Sequence, residues 1–278
     1  MNFTPLDNVQ NNPEGEDSLT GFTEEQLKRY SRHIVLQDMG IEGQQRIMKG
    51  KVLIIGVGGL GSPVALYLAA AGVGTIGLVD EDVVDLANLQ RQVIHFTPDI
   101  GKPKVVSAKE KIKEINPEVK TVIHKERVFA DNIKGFIEDY DFIIDNTDNF
   151  PAKFLINDAC VLEKKAFSHG GVLRFNGQTM TYIPGKACYR CVFKTPPPKD
   201  TVPICSQVGI LGAVAGMLGT IQAAEALKYL IGKGELLTNR LLIFDALNMN
   251  FRTVNIKRNI SCPICGKKPA ITELTDEE

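Results

Sequence analysis

The chain has 278 residues, of which 44% are hydrophobic, enough for one large α/β domain with a filled core. Its 32 basic and 33 acidic residues interleave to a net charge of −1, which excludes the broad basic field that holds nucleic acid. A few local Lys and Arg contacts to a single nucleotide stay open.

The first 21 residues, MNFTPLDNVQNNPEGEDSLTG, are polar and acidic and lack the charged-then-apolar order of a secretory signal. They predict a disordered tail on a cytoplasmic protein. TEEQLKRYSRHIVLQ from Thr23 reads as a helix, with Thr23 as N-cap, Gln26 three positions on, and Leu27, Tyr30 and Ile34 at helical spacing. It belongs to a helical arm over 22–50. KVLIIG at Lys51 is a buried strand, GLGSPVALYLAAAG a helix, TIGLVD at Thr75 a strand, and KVVSAKEKIKEINP a helix ended by Pro117. TVIHKERV and DFIIDNTD then read as strands and PAKFLINDACVLEKK as a helix, completing a core over 51–165. Such alternation predicts a mostly parallel, doubly wound, Rossmann-like sheet.

After Lys165 the pattern changes. AFSHGGVLRFNGQTMTYIPG predicts a hairpin turning at Asn176-Gly177, so the sheet continues with antiparallel strands. A proline-rich crossover, KTPPPKDTVPIC, leads to the apolar stretch GILGAVAGMLGTIQAAEALKYLIG from Gly209. Gln222, Glu225 and Lys228 interrupt it before the roughly 20 apolar residues a bilayer needs. It therefore reads as a buried or interface helix, with Gly212-x-x-x-Gly216 admitting another backbone. LLIFDAL and MNFRTVNIK are the last strands. A single domain over 22–270 is expected, its antiparallel extension, crossover and closing clip over 166–270, followed by an acidic tail over 271–278.

Gly56-Val57-Gly58-Gly59-Leu60-Gly61 stands where a strand gives way to a helix, so its glycines allow a tight turn and backbone N–H groups can approach phosphates. Asp80 ends the next strand, where a carboxylate accepts hydrogen bonds from ribose hydroxyls. This much fits an NAD-dependent dehydrogenase equally well.

Further along stand Asn88-Leu89-Gln90-Arg91-Gln92, Gly101-Lys102-Pro103-Lys104, and Asp145-Asn146-Thr147-Asp148-Asn149 at the carboxyl end of a strand. With the glycine loop and Arg29-Tyr30-Ser31-Arg32, these motifs make the chain resemble the ThiF/MoeB/HesA family of ubiquitin-activating-like enzymes, over about residues 22 to 269. The family adenylates the C-terminal Gly-Gly carboxylate of a ubiquitin-like sulfur-carrier protein, ThiS-like or MoaD-like, with ATP and Mg²⁺. Moving charge from the α-phosphorus toward pyrophosphate calls for cations and a metal where charge develops. Arg91 and Lys104 are the candidate cations and Asp148 the candidate Mg²⁺ ligand, with Asp145 the competing carboxylate. By resemblance, Gly56, Gly58, Gly59, Gly61 and Asn149 surround ATP, Asp80 binds ribose, and Asn88, Arg91 and Lys104 contact phosphates. Arg32 resembles an arginine inserted into the partner subunit's site, which implies a homodimer.

Cys188-x-x-Cys191 and Cys262-x-x-Cys265 are matched pairs suited to a closed, structural tetrahedral Zn²⁺ site; Pro263 and Gly266 give the second pair its turn. The competing reading is a redox CxxC. Cys160 reads as a packed core thiol, whereas Cys205, in the crossover, is a candidate covalent thiol for the acyl group or for sulfur. None of His33, His95, His124 and His169 has metal-ligand spacing. The expected product is an acyl-adenylate leading to a thiocarboxylate for thiamine or molybdopterin synthesis, with a separate sulfur donor and no nucleic-acid or membrane partner. An NAD(P)-dependent oxidoreductase leaves Arg91, Lys104 and Asp148 unexplained, and a non-catalytic scaffold leaves the filled polar positions without a task.

Overall fold

A computed structural model describes residues 21–198 and 208–276. Helix α1 (Glu24–Arg29) starts on the capping box foreseen at Thr23: its side chain accepts from the Gln26 N–H, and the Gln26 side chain accepts from the Thr23 N–H. The single helix expected here breaks at Tyr30. That side chain is buried, its hydroxyl accepts from Asn116 Nδ2 at 2.8 Å, and its ring occupies the space a side chain at Gly72 would need. Anchoring the ring costs the helix its continuity, and the chain restarts as α2 (Ser31–Ile34), then α3 (Gly40–Lys49).

The core follows as β1 (Lys51–Ile55), α4 (Gly61–Ala71), β2 (Thr75–Val79), α5 (Lys104–Ile115), β3 (Lys120–His124), α6 (Ile133–Ile137), β4 (Phe142–Asp145) and α7 (Phe150–Leu162). Then come β5 (Ala166–Leu173), β6 (Asn176–Tyr182), α8 (Tyr189–Val192), α9 (Gly212–Ile231), β7 (Arg240–Asp245) and β8 (Asn250–Asn255). The eight strands of the described residues form one sheet in the order β3-β2-β1-β4-β5-β6-β7-β8, parallel from β3 to β5 and antiparallel from β5 to β8. Alternate residues of β1 feed opposite layers. Val52 and Ile54 join α4, α5 and α9, while Leu53 and Ile55 join α6 and α7. This is the doubly wound, Rossmann-like α/β sheet with an antiparallel continuation that the element order predicts.

The hairpin differs from its predicted register by two residues. Leu173 pairs with Asn176, so Arg174 and Phe175 form the two-residue turn, with Arg174 at φ +55°. Gly177 lies inside β6, where the Phe244 ring occupies the side-chain position; the glycine serves that close approach and not the turn.

Helix α9 is a packed helix, as expected, with Val214, Ala215, Leu218, Ala223 and Ala226 buried. Its close approaches fall at Gly212, against the Gln90 carbonyl, and Gly219, against the Leu60 carbonyl; a Cβ at Gly216 would meet nothing within 4 Å. Among the described residues no helix is long and apolar enough to cross a membrane. At the carboxyl end Ile271 and Leu274 pack against the α7 side of the core, and Asp276 accepts from the Ala130 N–H at 2.9 Å.

Candidate active site

Strand order reverses between β1 and β4, and there the carboxyl ends of the parallel strands open into a cleft of about 850 Å³. Its first wall is the glycine loop after β1. Gly56 has φ +93°, its N–H donates to the Val79 carbonyl at 2.9 Å, and a side chain at Gly61 would overlap the Gly56 carbonyl oxygen. The turn therefore closes backbone on backbone. Asp80, at the end of β2, holds it from below, accepting from the Val57 N–H at 2.7 Å and from the Asp82 N–H at 2.9 Å. Burial raises the Asp80 pKa while the charge of Lys104 opposes the rise.

His95 supports the same loop. Its Nε2 lies 3.0 Å from the Val57 carbonyl, which only accepts, so Nε2 carries the proton and Nδ1 accepts from the Ser107 hydroxyl at 2.9 Å. Burial lowers its pKa, in keeping with that neutral ring.

Gly56, Gly58, Gly59, Asp80, Arg91, Lys104, Asp148 and Asn149 all line the cleft. Arg91 runs along Gly59 and donates from Nη1 to the Ala87 carbonyl at 3.0 Å; among the described residues it forms no ion pair. Lys104 is buried at the start of α5, its Nζ 2.7 Å from the exposed carboxylate of Asp82. Asp148 is exposed at the mouth, and Asn149 caps α7 by accepting from the Ala152 N–H. Gly61 begins α4 behind the loop, Asn88 ends a short 3₁₀ turn, and neither lines the cleft. Arg32 is exposed on α2 and does not line it either. Cys205 lies outside the described residues.

Asp145, the competing carboxylate, is fully buried beneath the cleft. It binds Lys153 Nζ at 3.2 Å, His169 Nδ1 at 3.0 Å and the Thr147 N–H and hydroxyl at 3.0 and 2.6 Å. Burial pushes its pKa up, but Lys153, His169 and Thr147 outweigh it and hold the carboxyl at about 2. A depressed carboxylate contributes stability above its unfolded value that is lost as pH falls through its folded value. Between about pH 4 and 2 the wild type should therefore lose on the order of 2 kcal/mol through this group. Acid titration followed by circular dichroism should show that component in the wild type and not in Asp145→Asn.

Sequence reasoning passed over three residues that line the cleft: Gln92, Asn146 and His169. All are buried, yet among the described residues Gln92 Oε1, both side-chain polar atoms of Asn146, and His169 Nε2 have no hydrogen-bond partner. Buried polar atoms rarely go unpaired, so their clustering at one cleft marks a ligand site. The first two sit inside motifs the sequence offered, but only the fold tells which motif residues turn inward.

The four cysteines come together at the far end of α7. All four Sγ atoms lie within 4.8 Å of one another, with Cys188 to Cys191 at 3.9 Å, Cys188 to Cys262 at 3.7 Å and Cys191 to Cys265 at 3.4 Å. A tetrahedral ion with metal–sulfur bonds of about 2.3 Å sets sulfur edges of about 3.8 Å, so the cluster fits Zn²⁺. The Asn259 N–H donates to Cys191 Sγ, and Gly266 leaves room for the Cys262 carbonyl in the knuckle turn. Helix α8 is moored to α7 by the Tyr189 N–H on Asn157 Oδ1 and by a buried bidentate Arg190–Asp158 pair. Cys160 is a fully buried thiol, as its apolar neighbours predict.

Taken together, a glycine turn at the switch point, cations beside it and, among the described residues, unpartnered side chains facing it make this cleft the candidate ligand site of an α/β protein. Residues 30–264 match the ThiF family, and the chain belongs to that family. It is 45% identical over 242 residues to the SAMP-activating enzyme E1 of Haloferax volcanii, covering 87% of this chain and 90% of that protein. With the sulfur carrier protein adenylyltransferase of Thermus thermophilus it shares 41% identity over 263 residues, 92% of this chain and 97% of that one. Crystal structures of E. coli MccB, one with MccA-N7isoASN, share the fold, with a TM-score of 0.78 at 24% identity over 86% of this chain and 75% of MccB.

Proposed function

We propose that this chain is an ATP-dependent adenylyltransferase that activates the C-terminal carboxylate of a ubiquitin-like sulfur-carrier protein. The observation that carries the reading is the convergence of Arg91, Lys104 and Asp148 on the glycine loop in one cleft. A carboxylate oxygen attacks the α-phosphorus of ATP; the new P–O bond forms as the bond to the β-phosphate oxygen breaks, and pyrophosphate departs with that electron pair. No general base is needed, because the attacking carboxylate is already ionised at neutral pH. Glycine-loop N–H groups and Asp80 hold the nucleotide, and Arg91 meets the charge that develops on the phosphates. Lys104 exchanges Asp82 for a phosphate oxygen when ATP enters. Asp148 would hold Mg²⁺, which would neutralise phosphate charge and align the leaving group. The relatives named above support this activity; one is called a sulfur carrier protein adenylyltransferase and another a SAMP-activating enzyme.

A separate donor delivering sulfur at the sulfide level would then attack the acyl carbon, forming the C–S bond as AMP departs with the C–O electron pair, to give a thiocarboxylate for thiamine or molybdopterin synthesis in the cytoplasm. The exposed position of Arg32, outside its own cleft, suits service in a partner's cleft within a homodimer. Labelled pyrophosphate should exchange into ATP only when a ubiquitin-like protein ending in Gly-Gly is present, and mass spectrometry should find that protein heavier by one AMP. Exchange without any such protein, or none with it, would overturn the reading.

A further inference from the structure

The wall of the cleft beyond β4 has its own chemistry. In register Asp145 pairs with His169, so Gly170 to Leu173 of β5 run past the end of β4, and Gly171 to Leu173 wall the cleft on the side away from the glycine loop. His169 and Gly171 share one face of β5. A Cβ at Gly171 would lie 3.5 Å from His169 Nε2 and 3.4 Å from Gln178 Cγ, so both side chains border the bare backbone at Gly171.

The tautomer of His169 follows from its neighbours. Asp145 is ionised and can only accept, so the proton sits on Nδ1; burial and the nearby charge of Lys153 keep the ring neutral. Among the described residues Nε2 is thus a lone pair without a donor, 1% exposed with its residue, held rigid by Asp145 on one side and the Tyr189 ring at 4.4 Å on the other. It calls for an N–H or O–H donor from a ligand that reaches Gly171. With the nucleotide held against β1 and β2, as proposed above, the β5 side of the cleft is left for the acyl partner.

Resting on the activity proposed above, we infer that the bare backbone at Gly171 seats the last peptide units of the carrier's tail, where His169 Nε2 accepts a hydrogen bond from a tail N–H. A glycine-rich tail fits because the seat is bordered by a glycine and offers an acceptor to the one donor every non-proline residue carries. His169 would act on binding, before any bond is made or broken.

Two variants and one altered substrate test this. Gly171→Ala adds a methyl group at ordinary contact distance from its neighbours, so the protein keeps its fold, while the seat is filled. Its KM for a Gly-Gly-ending ubiquitin-like protein should rise roughly tenfold with kcat and the KM for ATP unchanged. His169→Ala should raise the same KM about three- to tenfold. Carriers with N-methylglycine at either of the last two positions should lose affinity for the wild type, and at one of those positions lose much less for His169→Ala. An unchanged carrier KM in Gly171→Ala, or N-methyl and His169→Ala penalties that add in full at both positions, would refute the seat while leaving adenylation standing. Absence of carrier-dependent exchange in the wild type would remove both.

Discussion

Arg91→Ala should lower carrier-dependent pyrophosphate exchange by about 10² to 10³ in kcat while thermal melting stays within a degree or so of wild type. The size follows from the setting of the guanidinium. It is half-buried along Gly59, anchored by one N–H on the Ala87 carbonyl, and forms no ion pair among the described residues, so its charge is free for phosphate. Lys104 differs, since its ammonium is already matched by Asp82 and only the change of partner favours the transition state. Arg91→Lys should recover part of the loss, because a point charge replaces the fork without its geometry. Exchange at the wild-type rate in Arg91→Ala would remove the residue from the mechanism.

Loss of the metal clip should have the largest effect on stability. Protein purified without added metal should carry close to one zinc per chain, and Cys262→Ala should carry almost none. The ion's binding free energy is folding free energy, and in the variant its loss leaves two buried thiols, Cys188 and Cys265, facing the half-buried Cys191. A penalty of several kcal/mol corresponds, for a chain of this size, to a melting point lower by on the order of 10 °C. Chelator treatment of the wild type should reproduce the shift. A zinc content well below one per chain, or an unchanged melting point in the variant, would count against a structural ion.

Most of the parallel core was legible because each buried strand and its helix carry their own signals: KVLIIG is continuous and apolar, and a turn of glycines follows. The antiparallel half was less so. Asn176-Gly177 has the chemistry of a hairpin turn, but the demand of Phe244 for space outweighed it and moved the turn two residues upstream. Tyr30 likewise looked like one more apolar position on a helix until its burial against Gly72 broke that helix. Arg91, Lys104 and Asp148 were readable as motif members, and the four cysteines as ligands by spacing. His169 was not, because its partner Asp145 lies 24 residues away and only the pairing of β4 with β5 joins them.

The two halves of the sulfur cluster are 74 residues apart, with α9, β7 and β8 made between them. During synthesis Cys188 and Cys191 emerge with only half their ligand set, and the mooring of α8 on α7 must hold them until Cys262 and Cys265 follow. Pro196 to Pro198, which line the cleft just beyond α8, are therefore secured by the complete cluster only after Cys262 and Cys265 have been made. The four-sulfur site is thus a later closure than the parallel core, whose strands β1 to β5 all precede Cys188 in the chain.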